Sequence, residues 1–209
     1  MNTKQHVRKQ IIALAQRRQR PGSGSSLAAL RERTARTRFP DLTPVLHSVE
    51  WAMIGAGATR LHMPERATHG LDIVVRAEEA EAVRRALSEA GFEDRSELSI
   101  GGFPWLSAEG APVDVVEMAE PWLARALIEA RRNLDAQGLP VLPLHYLVLM
   151  KFQAGRVQDL ADVTRMLGQA GEDLLDSVRE LFGQLRPEDM DDLESLITLG
   201  QLEMGPRDD

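Results

Sequence analysis

Two short β-branched runs, each with one aspartate set into it, constrain this chain more than any other feature: LDIVV at residues 71–75 and APVDVVEM at residues 111–118. Both are rich in valine and short, so both are predicted strands. Side chains alternate along a strand. Leu71, Ile73 and Val75 therefore face one way and Gly70, Asp72 and Val74 the other, while Asp114 lies opposite Val113 and Val115. A carboxylate buried alone in such a run is costly. Each acid is therefore expected to meet a metal or an arginine, or to sit solvated near its strand end. If the strands are neighbours, Asp72 and Asp114 can share one metal, because Mg²⁺ is commonly held by one or two carboxylates beside substrate phosphates.

The surrounding pattern predicts an α/β half followed by a helical half. Residues 43–62 read as a helix or strand entering the glycine turn GAGA, then a short helix through Leu61. EEAEAVRRALSEAG, residues 78–91, reads as a helix with acids near its start and a glycine at its end. Strands are predicted at 97–100 and 103–107, joined as a hairpin at Gly101-Gly102. Helices are predicted at 121–136, 143–155, 157–169, 173–185 and 187–199. The domain expectation is a basic helical arm with a Gly/Ser linker (1–40), an α/β core (41–120) and a helical region packing on that core (121–209). Within the arm, helical pieces at 4–20 and 27–37 flank the linker PGSGSS.

Composition narrows the class. With 43% apolar and 27% charged residues, a soluble globular protein is expected. No apolar run is long enough to span a membrane, and the basic N-terminus lacks the apolar core of a secretory signal. The absence of cysteine excludes disulfides, thiol nucleophiles and thiolate metal sites and fits a cytoplasmic location. The net charge of −7 hides a polarity. Residues 1–40 hold ten Lys/Arg against the single acid Glu32, whereas residues 172–209 hold twelve acids against three arginines. The basic end suits RNA or a partner protein; it also suits a solvated arm or one folded back on the acidic end.

Three further features bear on chemistry. GAGA before a helix presents backbone N–H groups to a phosphate, or merely permits close packing. Lys151 falls on the same helical stripe as Leu144, Leu147 and Val148 and is the only lysine after Lys9. An inward lysine either snorkels out or points at an anion. Asp159 and Asp162 stand one turn apart, placed to hold Lys151 or Arg156 or to form an ordinary surface pairing. The histidines at 6, 47, 62, 69 and 145 show no metal-ligand spacing, and there is no HExxH, GxSxG or P-loop.

In this order the motifs resemble those of the nucleotidyltransferase superfamily, in particular its minimal bacterial AbiEii-type, toxin-like transferases. That family reads Gly-Gly-x-Ala, then Arg-x-Thr-x-Asp-x-Asp on a strand, a third Asp on a later strand, and Lys-x-x-Ala-x-Arg-x-x-Asp-x-x-Asp on a helix. The counterparts here are GAGATRLH, RATHGLD with Arg66, Thr68 and Asp72, VDVV with Asp114, and KFQAGRVQDLAD with Lys151, Ala154, Arg156, Asp159 and Asp162.

The resemblance implies an α+β fold, a small mixed sheet flanked by helices and followed by a helical C-terminal half. It implies Mg²⁺-dependent transfer of a nucleoside monophosphate from a nucleoside triphosphate to a hydroxyl on RNA, protein or a small molecule. Asp72 and Asp114 would bind metal and, with Lys151 on phosphate, be catalytic. Gly55, Gly57, Arg66 and Thr68 would bind the nucleotide, with Arg156, Asp159 and Asp162 in support. Two positions depart from the family pattern. Gly70 stands where the first acid is expected and Ala56 where the second glycine is. The alternatives are a transferase with a reduced, single-ion site and a degenerate member acting as a nucleotide- or RNA-binding module or a toxin–antitoxin partner.

Overall fold

The computed structural model of the chain describes residues 3–18, 38–63, 70–95 and 102–204. The fold is α+β, and the chain divides into two units, residues 27–143 and residues 1–26 with 144–209. The predicted helical piece at 27–37, the linker PGSGSS and the predicted strand at 97–100 with its turn residue Gly101 lie outside the described residues.

In the first unit, β1 (Trp51–Ile54) runs into the short helix α2 (Gly55–Ala58) and a 3₁₀ turn (Thr59–Leu61). After β2 (Leu71–Arg76) come a second 3₁₀ turn, α3 (Ala80–Glu89), β3 (Glu93–Asp94), β4 (Phe103–Leu106), β5 (Pro112–Met118) and α4 (Leu123–Ala130). The sheet order is β1-β2-β5-β4-β3. Among these strands β2 and β5 pair in parallel, whereas β1 pairs β2, β4 pairs β5 and β3 pairs β4 in antiparallel fashion. The segment left open between helix and strand is thus the strand β1.

Alternation builds the core. Leu71, Ile73, Val75, Val113 and Val115 are fully buried on one face, with Phe103 beside them. Helix α3 turns Ala80, Val83 and Leu87 inward, and its Arg84 lies 3.6 Å from the Phe103 ring centroid while bonding Glu117 at 3.1 Å. That places α3 on the aliphatic face and leaves the aspartate face clear of it.

The predicted helix 121–136 is shorter than expected. α4 ends at Ala130, and the Asp135 carboxylate accepts N–H bonds from Gln137 and Leu139 at 2.8 and 2.9 Å, shaping a turn where a helix was predicted. Such an Asx-type turn competes with the helix for backbone donors. Asp135 also pairs with Arg60, whose guanidinium sits 4.6 Å from the Phe39 ring centroid. Beyond the turn, the chain returns along β1: Met53 N–H bonds the Pro140 carbonyl at 2.7 Å and Leu142 N–H bonds the Met53 carbonyl at 3.0 Å.

The second unit contains α1 (Thr3–Arg18), α5 (Leu144–Ala154), α6 (Val157–Gln169), α7 (Glu172–Leu185) and α8 (Met190–Met204), the last preceded by a 3₁₀ turn at Pro187–Asp189. Helices α6 and α8 cross with their backbones in contact. A Cβ on Gly168 would fall 2.3 Å from the Gly200 carbonyl oxygen, and one on Gly200 would fall 2.1 Å from that of Thr164. Phe152 and Phe182 meet edge to face at 5.1 Å.

Helix α1 and residues 38–40 represent the basic arm among the described residues, and Arg8 of α1 is not a surface charge. It is 4% exposed, lies 3.9 Å from the Phe152 ring centroid, bonds Asp192 at 3.0 Å and pairs with Asp189. Of the options for the basic end, Arg8 takes the fold-back on the acidic one. Arg8 is thereby engaged within the protein, whereas Lys9, Arg17 and Arg18 of the same helix are exposed. No helix among the described residues is long and apolar enough to cross a membrane.

Candidate active site

The two aspartates are direct partners in the sheet. In the parallel β2–β5 register Asp72 stands opposite Asp114, and the row continues to Ile54 on β1 and Pro104 on β4. Paired residues on adjacent strands share a face, and the strands lie about 4.8 Å apart. Both acids are half-buried on that face while their aliphatic neighbours fill the other. Burial pushes the Asp114 carboxyl above its ordinary range, because the charged form is poorly solvated there. Among the described residues no side-chain bond to the Asp114 carboxylate offsets that cost.

The glycines of the motif have different reasons. Gly55 adopts φ +66°, and an ideal Cβ there would fall 1.8 Å from Asp72 Oδ2. Gly57 is buried, and a Cβ on it would press on Phe39 and Met53 at 3.0 and 3.1 Å, so its missing side chain serves packing. Gly70 needs neither. Its φ is ordinary, and a Cβ would meet Pro112 at 3.6 Å, a normal contact. Ala56, between the first two, is partly exposed. Arg66 and Thr68 lie outside the described residues.

Lys151, Arg156, Asp159 and Asp162 belong to the helical unit, where they form one network. Lys151 donates to Asp162 at 2.8 Å and lies 3.5 Å from Asp159; Arg156 donates to Asp159 at 2.6 Å; Gln158 donates to Asp162 at 3.2 Å. Lys151 is 9% exposed, Asp159 3% and Asp162 0%. The lysine does not snorkel. Two cations balance two carboxylates and tie α5 to α6.

Two features escaped the sequence reading. His62, just past α2, is buried enough to lower its imidazole to about 4, with desolvation as the cause. Nothing in its spacing signalled that. A cavity of about 310 Å³ lies by Trp51, at the other end of β1 from Ile54, with His47, Glu50 and Arg131 on its wall. Residues on both sides of β1's start and the turn after α4 line it, and it holds none of the predicted site residues.

The donor set suits a hard divalent cation: two carboxylates on one face, one of them without a side-chain bond among the described residues. Among the described residues no group of three or more His, Cys, Asp or Glu is placed to hold a metal.

No protein-family model and no curated protein matches the sequence. Among solved structures the chain aligns with ANT(2'')-Ia in complex with adenylyl-2''-tobramycin, at 16% identity over 73% of this chain and 88% of that one, with a TM-score of 0.41. The solution structure of the antibiotic-resistance factor ANT(2'')-Ia aligns at 14% identity over 79% and 93%, with a TM-score of 0.46. Cid1 in complex with the UTP analogue UMPNPP aligns at 16% identity over 73% and 46%, with a TM-score of 0.28. At such scores and identities these likenesses assign neither family nor activity.

Proposed function

We propose that this protein transfers a nucleoside monophosphate from a nucleoside triphosphate to a hydroxyl acceptor on RNA, protein or a small molecule, with Mg²⁺, at the sheet face bearing Asp72 and Asp114. The observation that supports it is the register: two half-buried carboxylates opposite each other on parallel strands, on the face that α3 leaves clear. The Asp114 carboxylate is poorly solvated in partial burial, and a divalent ion completed by phosphate oxygens and water relieves that cost. When bound, Mg²⁺ neutralises phosphate charge and eases deprotonation of the attacking hydroxyl.

The acceptor oxygen forms a bond to the α-phosphorus, the α–β phosphoanhydride breaks and pyrophosphate leaves. Asp114, whose proton affinity burial raises, is suited to take the hydroxyl proton. Gly55 and Gly57 shape the turn at the nucleotide, and Arg66 and Thr68 contact it.

Gly70 favours a second reading, a module that binds nucleotide or RNA, or pairs with an antitoxin, without turnover. Among the described residues neither backbone nor space demands glycine there, yet the expected acid is missing. Calorimetry with ATP, GTP, CTP and UTP, with and without Mg²⁺, tests the site. Absence of nucleotide binding at millimolar concentration ends both nucleotide readings. Labelled nucleotide transferred to an acceptor in extract supports the transferase. Binding without transfer, with transfer appearing in Gly70→Asp, supports the second reading.

A further inference from the structure

We infer that Gly55 is a positioning residue for Asp72: the missing side chain at 55 is what lets the Asp72 carboxylate lie along the face it shares with Asp114. An ideal Cβ on Gly55 would fall 1.8 Å from Oδ2, 2.6 Å from Cγ and 2.8 Å from Cβ of Asp72. The first two contacts can be relieved only by turning Asp72 to another staggered rotamer, which re-aims the carboxylate. The third involves an atom that no side-chain rotation moves, so the end of β1 would shift as well. The register explains the closeness. Ile54 is the direct partner of Asp72, and residue 55 is where the chain leaves the strand and turns over the acid into α2.

The backbone agrees. Gly55 is left-handed at φ +66°, a conformation that side chains disfavour and glycine adopts freely. Gly57 and Gly70 differ on both counts, so of the three glycines only Gly55 is coupled to the acid. The steric coupling stands by itself. Its consequence, that residue 55 is part of the cation site, rests on the function proposed above.

The test separates the two. Gly55→Ala is made in the natural chain and in Asp72→Gly, and urea midpoints are compared for all four proteins. Backbone strain is common to both backgrounds, whereas the clash exists only where Asp72 is present. The midpoint shift is expected to be at least twice as large in the natural background. Equal shifts in the two backgrounds would overturn the positioning role. If Gly55→Ala fails to fold in the natural chain but folds in Asp72→Gly, the coupling is shown directly. If it folds in neither, Gly55→Asn, which tolerates the left-handed conformation better, replaces it in the same comparison. Mn²⁺ alone is the cation probe. Its affinity is expected to drop at least tenfold in folded Gly55→Ala and to be unaffected by that change in Asp72→Gly. Natural protein that binds no Mn²⁺ removes the cation consequence and leaves the midpoint comparison to decide the positioning role.

Discussion

Lys151 donates to Asp162 across 2.8 Å with both side chains almost wholly removed from solvent, and Asp159 closes on the same ammonium at 3.5 Å. Removing one partner of such a cluster strands the others. Lys151→Met is expected to lower stability by about 3–5 kcal/mol, the usual cost of an uncompensated buried charge. Adding Asp162→Asn should recover part of that loss. Urea denaturation of both single variants, the double variant and the natural protein measures the coupling; an unchanged midpoint for Lys151→Met would show that the lysine holds nothing together.

Asp114 should behave in the opposite way. Burial raises its carboxyl above the ordinary range, so the folded chain binds that proton more tightly than the unfolded chain. Stability contributed by the protonated form is therefore full at low pH. It falls as pH rises from the unfolded value through the folded one, and the penalty stays constant above. Asp114→Asn removes the penalty. At pH 7 without added metal its Tm is expected to equal or exceed that of the natural protein, while Mg²⁺-dependent nucleotide binding falls at least tenfold. A lower Tm together with retained nucleotide binding would reverse the assignment.

The crossing of α6 and α8 predicts a sharp contrast between glycines. Gly168→Ala and Gly200→Ala drive a methyl group into backbone atoms that cannot swing aside, and each should cost about 1–3 kcal/mol or more. Gly183, exposed within α7, has nothing within 4 Å of its ideal Cβ. Gly183→Ala should instead stabilise by about 0.5–1 kcal/mol through helix propensity. Thermal melts of the three variants decide it.

His62 makes the fold acid-sensitive. Its imidazole is lowered to about 4 from an ordinary 6.5, so below 6.5 the unfolded chain takes up the proton first. Stability is full above that value and is lost as pH falls towards 4, by about 3 kcal/mol at most. His62→Leu should flatten this part of the pH–stability curve. An identical acid slope in the variant would clear His62 of the effect.

Most of the sheet was legible because alternation is local. The valines of β2 and β5 announce strands, and period two alone places Asp72 and Asp114 opposite their aliphatic neighbours. That the two strands are adjacent, parallel and in register so that the acids meet is a long-range fact, and only the motif order hinted at it. The overlong helix at 121–136 shows the converse failure. Its helical spacing ends at Ala130, and the turn beyond depends on Asp135 folding back on its own backbone and on Arg60 arriving from far earlier in the chain. Arg8 is a similar case: a basic residue in a basic stretch reads as solvated until its two aspartates, some 180 residues away, are seen.

The return of residues 140–142 along β1 has a consequence for how this protein meets copies of itself. A bare outer strand is a template on which another chain can extend the sheet. Here the backbone groups of Met53 are already taken by Pro140 and Leu142. At the other end the final strand is only Glu93–Asp94, two exposed acids whose charge repels a like neighbour. With the middle of one margin already occupied at Met53 and the other short and negatively charged, self-association by sheet growth is disfavoured at both.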